Sequence, residues 1–284
     1  STLLASSAAS DVYKRQEQEL EFAATFGGTV TLSEDITLTT PLAVTADMIL
    51  DLNGHTITNK VENAKTDVIV VEEGATLTIN GNGNVTAVSG NDGYAIIAKG
   101  KVIINGGTYR SGLDKNNDGN CTIYATGKGE VYIYGGDFAT TEDDKTTHII
   151  NKKDTDRATT TILIYGGTFK NFNPANNGAE GANTNFVAEG YKSLESGDNY
   201  VVVPEIVAFL ANVTEKTTVE LKSNITVSTG TTIHTQNATA DITINGNGKS
   251  IVSTAESADD FTWEGNTIPA MSTICLLYTS DAAD

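Results

Sequence analysis

The residues with the clearest chemical potential form one run, Asp114-Lys115-Asn116-Asn117-Asp118-Gly119-Asn120. Asp114, Asn116 and Asp118 stand at positions one, three and five of a tight loop with Gly119 at six, so hard oxygens gather on one side, as Ca²⁺ requires. Position twelve, where an acidic ligand usually closes the shell, is Ala125. Water or a carboxylate from another loop must then complete the coordination, and the competing reading is a metal-free Asn/Asp/Gly turn. Beyond Ca²⁺, no cofactor is expected. The second set of candidates is aromatic: Tyr132, Tyr134 and Tyr165, joined by Leu163, recur at alternate positions of two similar segments. A surface stripe of this kind binds sugar rings or a partner chain. Alternatively the rings stack on one another, or lie under the segment from Asn171 to Thr184.

What positions these residues is a repeat. Short apolar stretches ending in Asn-Gly or Gly-Gly recur as ILDLNGHTI (Ile49 to Ile57), LTING (Leu77 to Gly81), VIINGGTY (Val102 to Tyr109), VYIYGGDF (Val131 to Phe138) and ILIYGGTF (Ile162 to Phe169). The corresponding glycines, Gly54, Gly81, Gly106, Gly135 and Gly166, are 27, 25, 29 and 31 residues apart. Within each unit the pattern alternates with period two, so Leu77 and Ile79, Val102 and Ile104, Val131 and Ile133, and Ile162 and Ile164 share one face. Tyr132, Tyr134, Leu163 and Tyr165 fall on the other. A strand of about five residues fills only part of such a unit, and β-rich pieces such as Tyr94 to Ala98 and Cys121 to Ala125 supply further strands. Each unit is therefore a coil of several strands. Stacked coils with glycine corners make an all-β, right-handed parallel β-helix, a solenoid whose core is a ladder of like residues.

A longer period overlies this one. TVTLSEDITL (Thr29 to Leu38) matches TVELKSNITV (Thr218 to Val227) without a gap at an offset of 189. Each copy follows a short helix-like apolar stretch, Leu20 to Phe26 or Ile206 to Leu210. A short N-terminal helix there caps the open end of the first coil, which otherwise exposes apolar side chains and unpaired backbone. The expected layout is one capped β-helix domain over 17–204 and the start of a second, truncated one over 205–274. The Asn-, Gly- and Ala-rich stretch Asn173 to Asn185 reads as a loop leading into closing strands Asn185 to Tyr191 and Asn199 to Val203.

The ends read differently. CLLYTSDAAD (275–284) and SAASDVYKRQ (7–16) are encoded by one short DNA element in opposite orientations. That element resembles a transposase-type sequencing adapter, so 1–16 and 275–284 are expected to be adapter-derived. Cys121 is then the one cysteine of the natural segment, which leaves no intrachain disulfide framework. With 18 Lys+Arg against 36 Asp+Glu, the net charge is −18. Such a chain is repelled by nucleic acid and by anionic membrane surfaces, so neither is expected as a partner. The sequence has no apolar run of the ~20 residues needed to span a bilayer.

TVTLSEDITL with LDLNGHTI, the INGGTY and IYGGTF units, and the closing NFVAEGYKSL and NYVVVP resemble right-handed β-helix proteins of the pectin-lyase-like class, in particular those encoded by gut bacteria and their phages. The resemblance implies a scaffold shared by polysaccharide-cleaving enzymes, adhesins and virion proteins. Such enzymes use clustered Asp residues as acid and base, or calcium with an Arg or Lys that removes a proton. Here Arg110 and Arg157 have no evident acidic cluster, and the hydrolase Gly-His-Gly motif is not met because Thr56 follows His55. Asn53-Gly54-His55 reads as a turn, Asp143-Asp144 and Asp259-Asp260 as solvated acids, and His148 and His234 as isolated. No catalytic residue is assigned. The expected function is a non-enzymatic extracellular structural or adhesive protein on a phage particle or bacterial surface. It would contact a glycan or host receptor and form a possible homo-oligomer. The alternative is a polysaccharide lyase or glycoside hydrolase, favoured by three or more acids converging beside Arg110 or Lys152.

Overall fold

The computed structural model describes residues 16–59, 67–88, 93–111, 121–140, 148–210, 217–221, 224–227, 242–253, 262–263 and 266–267. A helix, α1 (16–26), leads into successive three-strand coils. The first is β1 (Gly28–Thr31), β2 (Ile36–Leu38) and β3 (Leu42–Val44); the second is β4 (Met48–Asp51), β5 (Thr56–Asn59) and β6 (Ile69–Val71). The third is β7 (Thr76–Asn80), β8 (Asn84–Thr86) and β9 (Ile96–Ala98), and the fourth β10 (Lys101–Ile104), β11 (Thr108–Ser111) and β12 (Ile123–Ala125). The fifth is β13 (Glu130–Ile133), β14 (Asp137–Thr140) and β15 (Ile150–Lys152); a sixth begins with β16 (Thr161–Ile164) and β17 (Gly167–Lys170). Three parallel sheets result. Sheet A has the order β1-β4-β7-β10-β13-β16, sheet B runs from β2 through β5, β8, β11 and β14 to β17, and sheet C has the order β15-β12-β9-β6-β3. The chain is an all-β parallel β-helix.

Each expected strand ending in Gly-Gly is in fact two strands with the glycines as the corner between sheets A and B. The alternation then places like residues in register. Met48, Leu77, Val102, Val131 and Ile162 form one inward column of sheet A, and Leu50, Ile79, Ile104, Ile133 and Ile164 another. None of the ten is more than 4% exposed. Burying each such side chain contributes roughly 1.5–3 kcal/mol, which makes these columns the main support of the fold.

The Gly-Gly-X-aromatic pattern has a packing reason. Tyr109, Phe138 and Phe169 occupy the inward column of sheet B and stack at 5.0 Å between successive rings, with planes within 9° of parallel. Gly107 has φ +92°, and a Cβ there would meet Leu52 Cδ1 at 2.8 Å and the Tyr109 hydroxyl at 3.2 Å. Only glycine permits both that backbone conformation and the close approach of the ring. The Tyr109 hydroxyl donates to the Gly106 carbonyl at 2.8 Å, and burial pushes its pKa far above the ordinary tyrosine value.

The two ends of this solenoid are closed differently. At the start, Leu20, Ala23 and Ala24 of α1 are buried against the first coil, while Phe22 and Phe26 face solvent. Gln16 Oε1 accepts from the backbone N–H and the hydroxyl of Ser33. At the far end an antiparallel hairpin, β18 (Tyr191–Ser196) and β19 (Asn199–Pro204), extends sheet B beside β17. The expected strand from Asn185 to Tyr191 is not formed as such: Val187 makes an isolated parallel bridge to Ile164, and the strand starts at Tyr191. The Phe186 carbonyl and the Ala188 N–H pair with Ile164, while the Val187 N–H is taken locally by Asn185 Oδ1, so the pairing stops at a single bridge.

Beyond the hairpin, α2 (Glu205–Leu210) buries Ile206, Val207 and Ala208. Next come β20 (Thr217–Glu220), β21 (Ile225–Val227), β22 (Ile242–Asn245) and β23 (Ile251–Ser253), with β20–β22 and β21–β23 paired in parallel. β20 and β21 stand 189 residues after β1 and β2. A short antiparallel pair, β24 (Thr262–Trp263) and β25 (Asn266–Thr267), follows.

Candidate functional site

The outward side of sheet A changes character along the axis. Its central column reads Thr29, Ile49, Thr78, Ile103, Tyr132 and Leu163 in register. The neighbouring column starts as Thr31, Asp51 and Asn80 and continues one position past the later strands as Asn105, Tyr134 and Tyr165. Asn105 Nδ2 donates to Asn80 Oδ1 at 2.7 Å. Apart from Ile49, the first three coils present small polar groups here, and the fifth and sixth present apolar and aromatic ones.

All three tyrosines singled out from the sequence lie on this face, half-buried, and each is engaged by a neighbour. Tyr134 and Tyr165 stack at 4.7 Å with planes 13° apart, and Tyr165 meets Tyr191 edge-on at 5.2 Å. Lys101 Nζ sits over the Tyr132 ring, 5.0 Å from its centre, and the Tyr132 hydroxyl donates to Glu130 Oε2 at 3.0 Å. Desolvation raises the pKa of all three phenols, helped at Tyr132 by the Glu130 carboxylate. A sugar stacking on Tyr132 must displace Lys101. At Tyr134 and Tyr165 the mutually stacked faces are closed.

A second aromatic pair went unassigned in the sequence. Tyr94 and Tyr124 stack at 5.0 Å with planes 10° apart, and Val70, Ile97 and Tyr124 form one outward column of sheet C. Aligning Tyr94 to Ala98 with Cys121 to Ala125 by their buried Ile96 and Ile123 would have found that column. Ion pairs surround it: Lys99 with Glu72 at 2.9 Å, and Arg157 with Asp154 at 2.8 Å and Glu180 at 2.6 Å. Burial first, then the neighbouring Cys121, Asp154, Asp156 and Glu180, raises the Tyr124 phenol pKa.

The carboxylates have another use. Asp35, Asp47 and Asp67 each accept the backbone N–H of a residue in the next coil, Thr56, Thr76 and Tyr94, at 2.8–3.0 Å. Asp156 accepts from Gly127 N–H at 2.7 Å and from the Thr126 hydroxyl at 2.8 Å, which holds its pKa down from 3.8 to about 2. These acids satisfy backbone donors at the corners of the coil, where the sheet ladders leave them free.

Beside Arg110 stands Asp137, whose carboxylate and carbonyl both accept from the guanidinium. Beside Lys152, Glu180 Oε1 accepts the Lys152 N–H at 2.8 Å, and Lys152 Nζ donates to the Thr160 carbonyl. Asp154, Asp156 and Glu180 all lie close enough to Tyr124 to act on it, and each is engaged: Asp154 and Glu180 share Arg157, Glu180 also accepts the Lys152 N–H, and Asp156 accepts from Gly127 and Thr126. Asn53 and Gly54 adopt φ +45° and +82°, so Asn53-Gly54-His55 is a turn; His55 Nδ1 lies 3.5 Å from Asp35 Oδ1. His148 is half-buried at the foot of β15. The calcium candidates Asp114, Asn116 and Asp118, with Asp143, Asp144, Asp259, Asp260 and His234, lie outside the described residues. Among the described residues no group of three or more His, Cys, Asp or Glu is placed to hold a metal ion, and no helix is long and apolar enough to cross a membrane. Compared with protein-family models, curated proteins and solved structures, the chain matches none of them.

Proposed function

We propose that this chain is a non-enzymatic structural or adhesive β-helix of the pectin-lyase-like class, working outside the cell on a phage particle or a bacterial surface. Its layout is a capped module over 17–204 followed by a second unit over 205–274, and its lateral face binds a glycan or host receptor. The observation that carries this reading is the use of the corner carboxylates. Asp35, Asp47, Asp67 and Asp156 close the coil by accepting backbone N–H groups of neighbouring coils. At Asp156 the Gly127 N–H and the Thr126 and Thr155 hydroxyls hold the pKa down to about 2, so this acid is stabilised as the anion and is poorly suited to deliver a proton. The lateral face of Tyr132, Tyr134 and Tyr165, with Lys101 and Glu130 beside it, offers apolar edges, phenol oxygens and both charges to a polar ligand.

A glycan-array screen of the full chain, with and without Ca²⁺, tests this by following retention and the appearance of unsaturated or reducing ends together. Retention without new ends is the expected result, and Tyr132→Ala should weaken it. Release of unsaturated or reducing ends would replace this reading with that of a polysaccharide lyase or glycoside hydrolase. Retention that requires Ca²⁺ and is lost in Asp114→Ala and Asp118→Ala would assign the metal to Asp114, Asn116 and Asp118.

A further inference from the structure

The stacking of Tyr134 on Tyr165 sets up chemistry independent of glycan binding. Parallel in-register strands lie about 4.8 Å apart, so like side chains of successive coils are held in contact. Here two phenol rings face each other at 4.7 Å and 13°, one from the fifth coil and one from the sixth, and both are half-exposed. Tyr94 and Tyr124 also stack, at 5.0 Å and 10°, although Tyr94 precedes its strand and the register neighbour of Tyr124 is Ile97. Tyr109 and Tyr132 lack such a pairing. Tyr109 is fully buried and stacks on Phe138, and Tyr132 has Ile103 and Leu163 as its register neighbours.

We propose that these outward tyrosine pairs, Tyr134–Tyr165 foremost, are sites of oxidative cross-linking that staple neighbouring coils together. The co-reactant is a one-electron oxidant of the haem-peroxidase type working on hydrogen peroxide. Each ring gives up one electron, and its phenol proton passes to water, leaving a phenoxyl radical with spin density on the carbons beside the oxygen. A Cε of Tyr134 then bonds to a Cε of Tyr165. The hydrogen on each bonded carbon shifts to the phenol oxygen and restores both aromatic rings. The pair loses two hydrogen atoms in all, and one hydrogen peroxide is reduced to two waters. Contact between the rings before oxidation makes this pairing faster than encounter with a second molecule.

The test oxidises the full chain with a haem peroxidase and hydrogen peroxide. Dityrosine fluorescence is read in the monomeric fraction, and cross-linked tryptic peptides are sequenced by mass spectrometry. Tyr134 lies between Lys128 and Lys145 and Tyr165 between Arg157 and Lys170, so their link joins two separate peptides. That joined peptide should dominate, and it should vanish in Tyr134→Phe and Tyr165→Phe but persist in Tyr132→Phe. These variants keep the ring, and an unchanged circular dichroism spectrum confirms the fold of each. The chain oxidised in denaturant should lose the preference. Links mainly between molecules, a Tyr165–Tyr191 link in place of Tyr134–Tyr165, or the same pattern in folded and unfolded chains would overturn the proposal.

Discussion

Tyr109, Phe138 and Phe169 inside sheet B and Tyr134 and Tyr165 outside sheet A stack at nearly the same spacing, 5.0 Å and 4.7 Å. Register alone produces both ladders, because a parallel coil brings each side chain onto its counterpart one turn away. Their surroundings separate them. The inner rings are 0% exposed, and glycine corners leave room for them. The outer rings are half-exposed and Tyr165 meets Tyr191 edge-on, while nearby Tyr132 engages Lys101 and Glu130. Stacking is thus common to both, and burial determines how much each ladder contributes to stability.

The sharpest way to break this contrast is to place a charge on each side of one strand. Ile104 is fully buried and Ile103 is its outward neighbour. Ile104→Asp leaves an unpaired carboxylate in the core column and should unfold the solenoid, whereas Ile103→Asp should change the denaturation midpoint little. Equal damage from both, read by circular dichroism, would refute the inward and outward assignment.

Gly107→Ala should follow in size. The Cβ meets Leu52 at 2.8 Å in a left-handed backbone, so the cost should exceed about 1 kcal/mol in a denaturant titration. Gly54→Ala probes strain alone, because it has φ +82° but nothing within 4 Å of the added Cβ. It should therefore be the milder of the two. A reversed order would mean that the inner ladder does not depend on its corner glycines.

The smallest expected effect comes from Asp156, whose pKa falls from 3.8 to about 2 on folding. A depressed folded pKa contributes stability that is complete above the unfolded value and lost as pH falls through the folded one. The window is therefore pH 4 down to 2. Asp156→Asn should flatten that part of the acid-unfolding curve relative to the parent chain, and an unchanged slope would remove the corner bond from the account.

The alternation at Val102 and Ile104 and at Val131 and Ile133 made the inward column of sheet A legible from sequence, since period two and β-branched residues leave little choice. The Gly-Gly corners were legible as turns but not as the boundary between two sheets, because a strand of four residues reads the same as half of a longer one. The inner aromatic ladder was hidden for the same reason. The last residues of GGTY, GGDF and GGTF look like strand ends until the corner turns them inward. Tyr132, Tyr134 and Tyr165 could be placed on one face by parity. Their partners Lys101 and Tyr191 could not, because register between coils and the path of the closing segment decide those contacts. Tyr94 and Tyr124 were missed because the short strands of sheet C carry too few residues to show a period.

The most direct test of the central claim is a matched pair of truncations, Phe138→Ala and Tyr134→Ala, compared by chemical denaturation of the full chain. Phe138→Ala opens a cavity in the inner ladder and should cost about 3–5 kcal/mol. Tyr134→Ala removes one partner of a half-exposed stack and should cost about 1 kcal/mol or less. Equal costs, or a larger loss at Tyr134, would contradict the assignment of stability to the inner ladder and of the free surface to the outer one.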